Sequence, residues 1–124
     1  MGEKKILVID DEADILDVVS ALLKFNGYEV DTAGDGLEGL EKASLGKPDL
    51  ILLDIKMAQV DGYTVLRKLK QNQLTKHIPV IVMTVYDKMR DLFEAEGIAD
   101  YIVKPYDDQD LLLRVARIIK EGKR

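Results

Sequence analysis

Residues 6–14 read ILVIDDEAD: four apolar side chains, Ile6 to Ile9, and then at once the adjacent carboxylates Asp10 and Asp11. Similar apolar runs recur at Leu50–Leu53, Val80–Met83 and Tyr101–Val103, each of about strand length. Near-continuous runs of this kind suit strands covered on both faces, which means a parallel sheet with helices on each side. The segment YEVDTA, Tyr28–Ala33, alternates instead, with Tyr28, Val30 and Thr32 opposed to Glu29 and Asp31, as an edge strand does. Between the runs lie helical stripes. Ile15, Val18, Val19, Leu22 and Leu23 keep the 3.6-residue period, as do Leu112, Val115, Ala116 and Ile119. Weaker stripes fall at Leu37, Leu40 and Ala43, at Val65, Leu66 and Leu69, and at Met89, Leu92 and Phe93. Gly27, Gly46, Gly97 and Gly122 each follow a helical pattern, where glycine forms a left-handed cap at least cost.

The pattern is β-α five times over, and right-handed crossovers wind it into a doubly wound three-layer α/β sandwich. Five parallel strands with the second at an edge fit the order 2-1-3-4-5. The 124 residues, 47% hydrophobic, suit one domain over residues 1–124. With no cysteine, disulfides, thiolate metal sites and a cysteine nucleophile are excluded. A net charge of −5 offers no footprint for nucleic acid or an anionic membrane. No stretch approaches the ~20 apolar residues of a membrane span, and the N-terminus has no signal-peptide pattern. A cytoplasmic protein without membrane insertion or direct nucleic-acid contact is the expectation.

In a doubly wound sheet, ligands bind beyond the carboxyl ends of the strands. Asp10 and Asp11 follow the first strand, Asp54 ends the third, Thr84 the fourth and Lys104 the fifth. Each has a bland role alone: Asp10 or Asp11 caps the first helix with Asp14, Asp54 caps a turn, Thr84 bonds backbone, and Lys104 reaches solvent. Convergence is what those roles leave unexplained. Two like charges 4 Å apart cost on the order of 4 kcal/mol at an effective dielectric near 20. One lysine is too little to offset three acids, and Mg²⁺ (or Mn²⁺), a hard cation that takes one or two carboxylates and favours a phosphate oxygen, supplies the rest. A carboxylate beside such a metal can attack a phosphoryl group to give an aspartyl-phosphate. Asp54, alone on a central strand, is the nucleophile; Lys104 and the metal neutralise phosphoryl charge, and Thr84 donates its hydroxyl.

The segments VIDDEADIL, DLILLDIKMAQVDGYTVL, IPVIVMT and ADYIVKPY resemble, in order and spacing, the receiver domain of two-component response regulators. The likeness runs over essentially the whole chain and implies a flavodoxin-like sheet. It implies a phosphorelay component rather than an enzyme in the ordinary sense, similar to stand-alone chemotaxis regulators or sporulation-relay proteins. Asp54 would accept the phosphoryl group from a phosphohistidine on a sensor histidine kinase or phosphotransfer protein. Asp11 resembles the direct metal ligand and Asp10 the one acting through water, with the main-chain carbonyl of Lys56 a further ligand. Thr84 and Tyr101 resemble the switch pair that remodels the face docking a downstream protein target, and the Lys104–Pro105 bond is expected cis. Helix 1 with the loop after Lys104 is the expected kinase surface.

Ala58 stands where relatives usually have proline, and Val85 where they usually have a small residue. The bulk of Val85 should crowd access to the phosphoryl group, and Lys56 and Tyr86, two residues beyond Asp54 and Thr84, are placed to flank the path of an attacking water, so slow self-dephosphorylation is expected. The chain ends at KEGKR directly after the fifth helix, which suits either a stand-alone protein or a receiver cut from a longer regulator.

Other readings fit less of the chain. GDGLEG, Gly34–Gly39, is a literal G-x-G-x-x-G with Asp54 about 20 residues on, as in dinucleotide-binding folds. It follows an alternating strand, however, and Asp35 as N-cap of helix 2 explains it more simply. A Mg²⁺-dependent phosphatase would need a second acid near Asp54, where Lys56 stands. GKP at Gly46–Pro48 lacks the Ser or Thr of a P-loop, and His77 alone makes no histidine-based metal site. A degenerate receiver that docks without phosphorylation leaves the full set of site residues without a purpose.

Overall fold

The computed structural model describes residues 3–55 and 61–121, with Asp61 as backbone only. Strands β1 (Lys5–Ile9), β2 (Glu29–Ala33), β3 (Leu50–Asp54), β4 (Val80–Thr84) and β5 (Asp100–Val103) form one parallel sheet. Its order is β2-β1-β3-β4-β5, as the run pattern predicts. The helices are α1 (Ala13–Phe25), α2 (Gly36–Gly46), α3 (Asp61–Gln71), α4 (Arg90–Glu94, preceded by a 3₁₀ turn at Asp87–Met89) and α5 (Asp108–Glu121).

Strand alternation divides the core in two. Ile6, Val8, Leu50, Leu52, Ile81, Met83 and Ile102 face α1 and α5, meeting Val19, Leu23, Leu111 and Val115. Leu7, Ile9, Ile51, Leu53, Val80, Val82 and Tyr101 face α2, α3 and α4, meeting Ala43, Leu66, Leu69 and Phe93. The central strands are buried on both faces, which is why their sequences run apolar without a break.

Local departures have local causes. Tyr28 precedes the edge strand instead of opening it, although its ring still packs on the α1 face. Gly27 closes α1 at φ 94° with open space around its Cα, so its need for glycine is conformational. The cap of α2 is not Gly46 but Lys47, which takes the left-handed conformation at φ 48° and donates its N–H to the Ala43 carbonyl. Gly122 lies outside the described residues. Val18, Leu37 and Leu92 belong to helical stripes yet stand 67%, 81% and 45% exposed, so those stripes are wider than the faces they bury.

Candidate functional site

The strand register assembles the site. Ile9 pairs with Leu53, so Asp10 and Asp54 leave adjacent strands at the same level and on the same face. Thr84 pairs with Val103, which puts Lys104 one step beyond. By alternation, Asp10, Asp54 and Lys104 share the α1/α5 side of the rim, whereas Thr84 and Tyr101 share the α3/α4 side.

Lys104 Nζ donates to Asp54 Oδ2 in a close ion pair; the side chains are 21% and 2% exposed, respectively. Asp10 is also buried, and its Oδ1 accepts the Glu12 N–H at 3.0 Å. Its other oxygen, Oδ2, is buried with no hydrogen-bond donor. Burial first, then the facing Asp54 carboxyl, raise the Asp10 pKa to about 7, against the smaller lowering effects of the Glu12 N–H and Lys104. A carboxyl pair of this kind is satisfied by a shared proton or by a cation. That orphaned oxygen is where a divalent ion fits the residues present.

The acids that crowd one another are therefore Asp10 and Asp54, on different strands. Asp11, adjacent to Asp10 in sequence, is exposed. Among the described residues, no three His, Cys, Asp or Glu side chains converge closely enough to form a metal cluster unaided. Lys56, expected as a carbonyl ligand and a shield, lies outside the described residues, as does Ala58. The expected cap of α1 by Asp10 or Asp11 also differs: Glu12 stands at the capping position, its side chain making no cap bond to the helix, and Asp10 accepts from the backbone just ahead of the helix.

Thr84 is buried, and its Oγ1 accepts the Tyr86 N–H at 3.2 Å, which leaves the hydroxyl proton free to be donated. The Tyr101 ring is buried too, its hydroxyl donating to the Tyr86 carbonyl. The backbone of Tyr86 thus touches both members of the pair. Burial pushes the Tyr101 phenol above its ordinary pKa, so it stays a donor. The Lys104–Pro105 bond is cis, as expected. Val85 is 57% exposed and lines, with Ile15, Val18, Val19, Lys104, Pro105 and Tyr106, a mainly apolar groove of about 480 Å³ beside the rim.

The GDGLEG segment is a helix start. Asp35 Oδ1 accepts the Glu38 N–H at 2.8 Å, and Glu38 Oε1 accepts the Gly34 N–H at 2.8 Å. It follows the edge strand, away from the crevice that a dinucleotide would enter. His77 is exposed in a turn. What the sequence did not announce is a group around Tyr101: Arg90 and Phe93 on α4, and Tyr63 on α3. The apolar spacing marked Phe93 as core, but nothing in a linear pattern pairs a ring on β5 with a cation on α4.

Comparison with known proteins agrees with this fold. The model of the response regulator receiver domain matches residues 6–116. The chain is 38% identical over 122 residues to the DNA-binding dual master transcriptional regulator RpaA of Synechocystis sp., covering 97% of this chain and 51% of that protein. It is 41% identical over 118 residues to the response regulator PleD of Caulobacter vibrioides, covering 94% of this chain and 26% of that protein. The chain thus spans about half or a quarter of these relatives. Among solved structures, a CheY-like receiver domain protein from Methanospirillum hungatei superposes with a TM-score of 0.89 at 32% identity, over 98% of both chains. A receiver domain protein from Clostridium thermocellum does so with a TM-score of 0.86 at 35% identity, over 97% of both. With the family model over residues 6–116 and the sheet order in agreement, the chain belongs to the response regulator receiver domain family.

Proposed function

We propose that this receiver accepts a phosphoryl group on Asp54 from a phosphohistidine of a sensor histidine kinase or phosphotransfer protein, and reports it through Thr84 and Tyr101. The observation that carries this reading is the rim itself: Asp54 held by Lys104 and faced by Asp10, whose buried Oδ2 has no donor. An Asp54 oxygen attacks phosphorus, the P–N bond to the donor imidazole breaks, and the imidazole leaves with the bonding pair and takes up a proton. Lys104 stabilises the phosphoryl oxygens, and the free hydroxyl proton of Thr84 is available to one of them. Asp10, Asp11, Asp54 and the Lys56 carbonyl would hold Mg²⁺ or Mn²⁺, which when bound neutralises negative charge on the acids and the phosphoryl oxygens.

The groove lined by α1 and the Pro105–Tyr106 turn suits the donor, because it is apolar and shares Lys104 with the rim. The α4/β5/α5 face suits a downstream protein target, since Tyr101 lies beneath it. Exposed Val85 and Tyr86 support slow loss of the phosphoryl group by shielding it from water; Lys56, expected beside them, lies outside the described residues.

The test is transfer from a phosphohistidine-labelled donor protein. Label that is Mg²⁺-dependent, labile to hydroxylamine and absent from Asp54→Asn supports the reading; label that persists in Asp54→Asn overturns it.

A further inference from the structure

The buried ring of Tyr101 is held from α4 in two ways. The Arg90 guanidinium carbon lies 5.0 Å from the ring centroid. The Phe93 ring lies 6.0 Å away with its plane inclined by 36°. Phe93, itself fully buried, is met edge-on by Tyr63 of α3 at 5.5 Å and 73°. Tyr63 in turn donates its hydroxyl to Glu96 Oε2, just past α4, at 2.5 Å. At five residues, α4 is too short to be stable by itself. Its seat is made by one ring from α3 and one from β5.

We infer that Arg90 is a positioning residue for the switch, its guanidinium over Tyr101 holding the ring inward before any phosphoryl group arrives. The inference rests on Tyr101 being the switch ring and deepens that reading by naming what sets its resting position. When the ring turns out, the Tyr86 carbonyl loses its phenol donor, Phe93 loses a covering ring, and Arg90 loses its aromatic face. Arg90 also faces Glu94 of the same helix, whose Oε2 is 3.7 Å from Nη1. At an exposed site, such a contact biases the equilibrium about two- to fivefold. That is a bias rather than a lock, and it leaves the phosphoryl group room to complete the shift.

The experiment labels the whole chain with 3-fluorotyrosine, identifies the Tyr101 fluorine resonance by its loss in Tyr101→Phe, and measures its exposure to a soluble paramagnetic agent. In Arg90→Met, which keeps the aliphatic stem without the charge, the exposed population should rise about two- to fivefold. Arg90→Lys should recover part of the loss, and Glu94→Gln should change little. Beryllofluoride with Mg²⁺, a phosphoryl mimic, should return the Met variant to the buried position. An unchanged resonance in Arg90→Met overturns the inference, as does an equal effect of Met and Lys. Beryllofluoride that moves the Tyr101 signal in no variant overturns the switch reading itself, which is a different failure.

Discussion

Asp10 carries a consequence that can be measured without any partner. Its pKa is about 7 in the fold and near the ordinary carboxyl value of 3.8 in the unfolded chain. Between those values the folded state binds more protons than the unfolded one, so stability falls as pH rises. The metal-free protein should therefore lose stability between about pH 4 and pH 7 from this group, then level off. The difference in melting temperature between wild type and Asp10→Asn over that range checks the sign; a wild type that gains on the variant from pH 4 to 7 contradicts it. Asp10→Asn should flatten the slope, raise the metal-free melting temperature by several degrees and weaken Mg²⁺ binding. Below pH 7 a divalent ion must displace a proton, so Mg²⁺ affinity should drop about tenfold per pH unit. None of this is legible in ILVIDDEAD alone. The sequence sets Asp10 beside Asp11, whereas the costly neighbour is Asp54, which only the register of β1 on β3 brings level.

The strands were readable because a doubly covered strand must be apolar throughout. Helix ends were readable where one side chain supplies the missing bond, as Asp35 does for α2. Asp35→Ala should cost about 1 kcal/mol, measured by urea denaturation. Gly27→Ala should cost a similar amount, through its left-handed conformation alone. Gly39 differs: a Cβ there would stand 2.6 Å from Ile9 Cδ1, so Gly39→Ala should be destabilising and Ile9→Val should relieve part of the loss. Element lengths were less readable. The stripe at Met89, Leu92 and Phe93 reads as a helix, yet it yields only a 3₁₀ turn and the five residues of α4, and the rings from α3 and β5 that meet Phe93 are not visible in a linear pattern. At the β4–α4 connection, Val85→Ala with Tyr86→Glu should speed hydrolysis of the phosphorylated form severalfold. An unchanged decay rate removes the shielding role of these side chains.

Every helix of a right-handed doubly wound sheet starts at the carboxyl rim of the strands, and the charges follow that polarity. Asp14, Glu38, Asp91 and Asp108 occupy first turns, while Lys24, Lys68 and Lys120 occupy last turns, where each complements the helix dipole. The rim is acidic partly for that reason, which makes a cation the more necessary for a phosphoryl donor to approach. On the proposed reading, docking in the groove beside Lys104 supplies the remaining attraction. Val18→Asp, in the groove beside Lys104, should slow transfer from a phosphohistidine protein at least tenfold and leave phosphorylation by acetyl phosphate unchanged. Equal effects on both donors would mean that the groove is not the docking surface.

The central claim, that Asp54 accepts the phosphoryl group, is tested most directly by intact mass after incubation with acetyl phosphate, with and without Mg²⁺, beside Asp54→Asn. One added phosphoryl group that requires both Mg²⁺ and Asp54 is the predicted result. The same addition in Asp54→Asn, or with the metal removed, would contradict it.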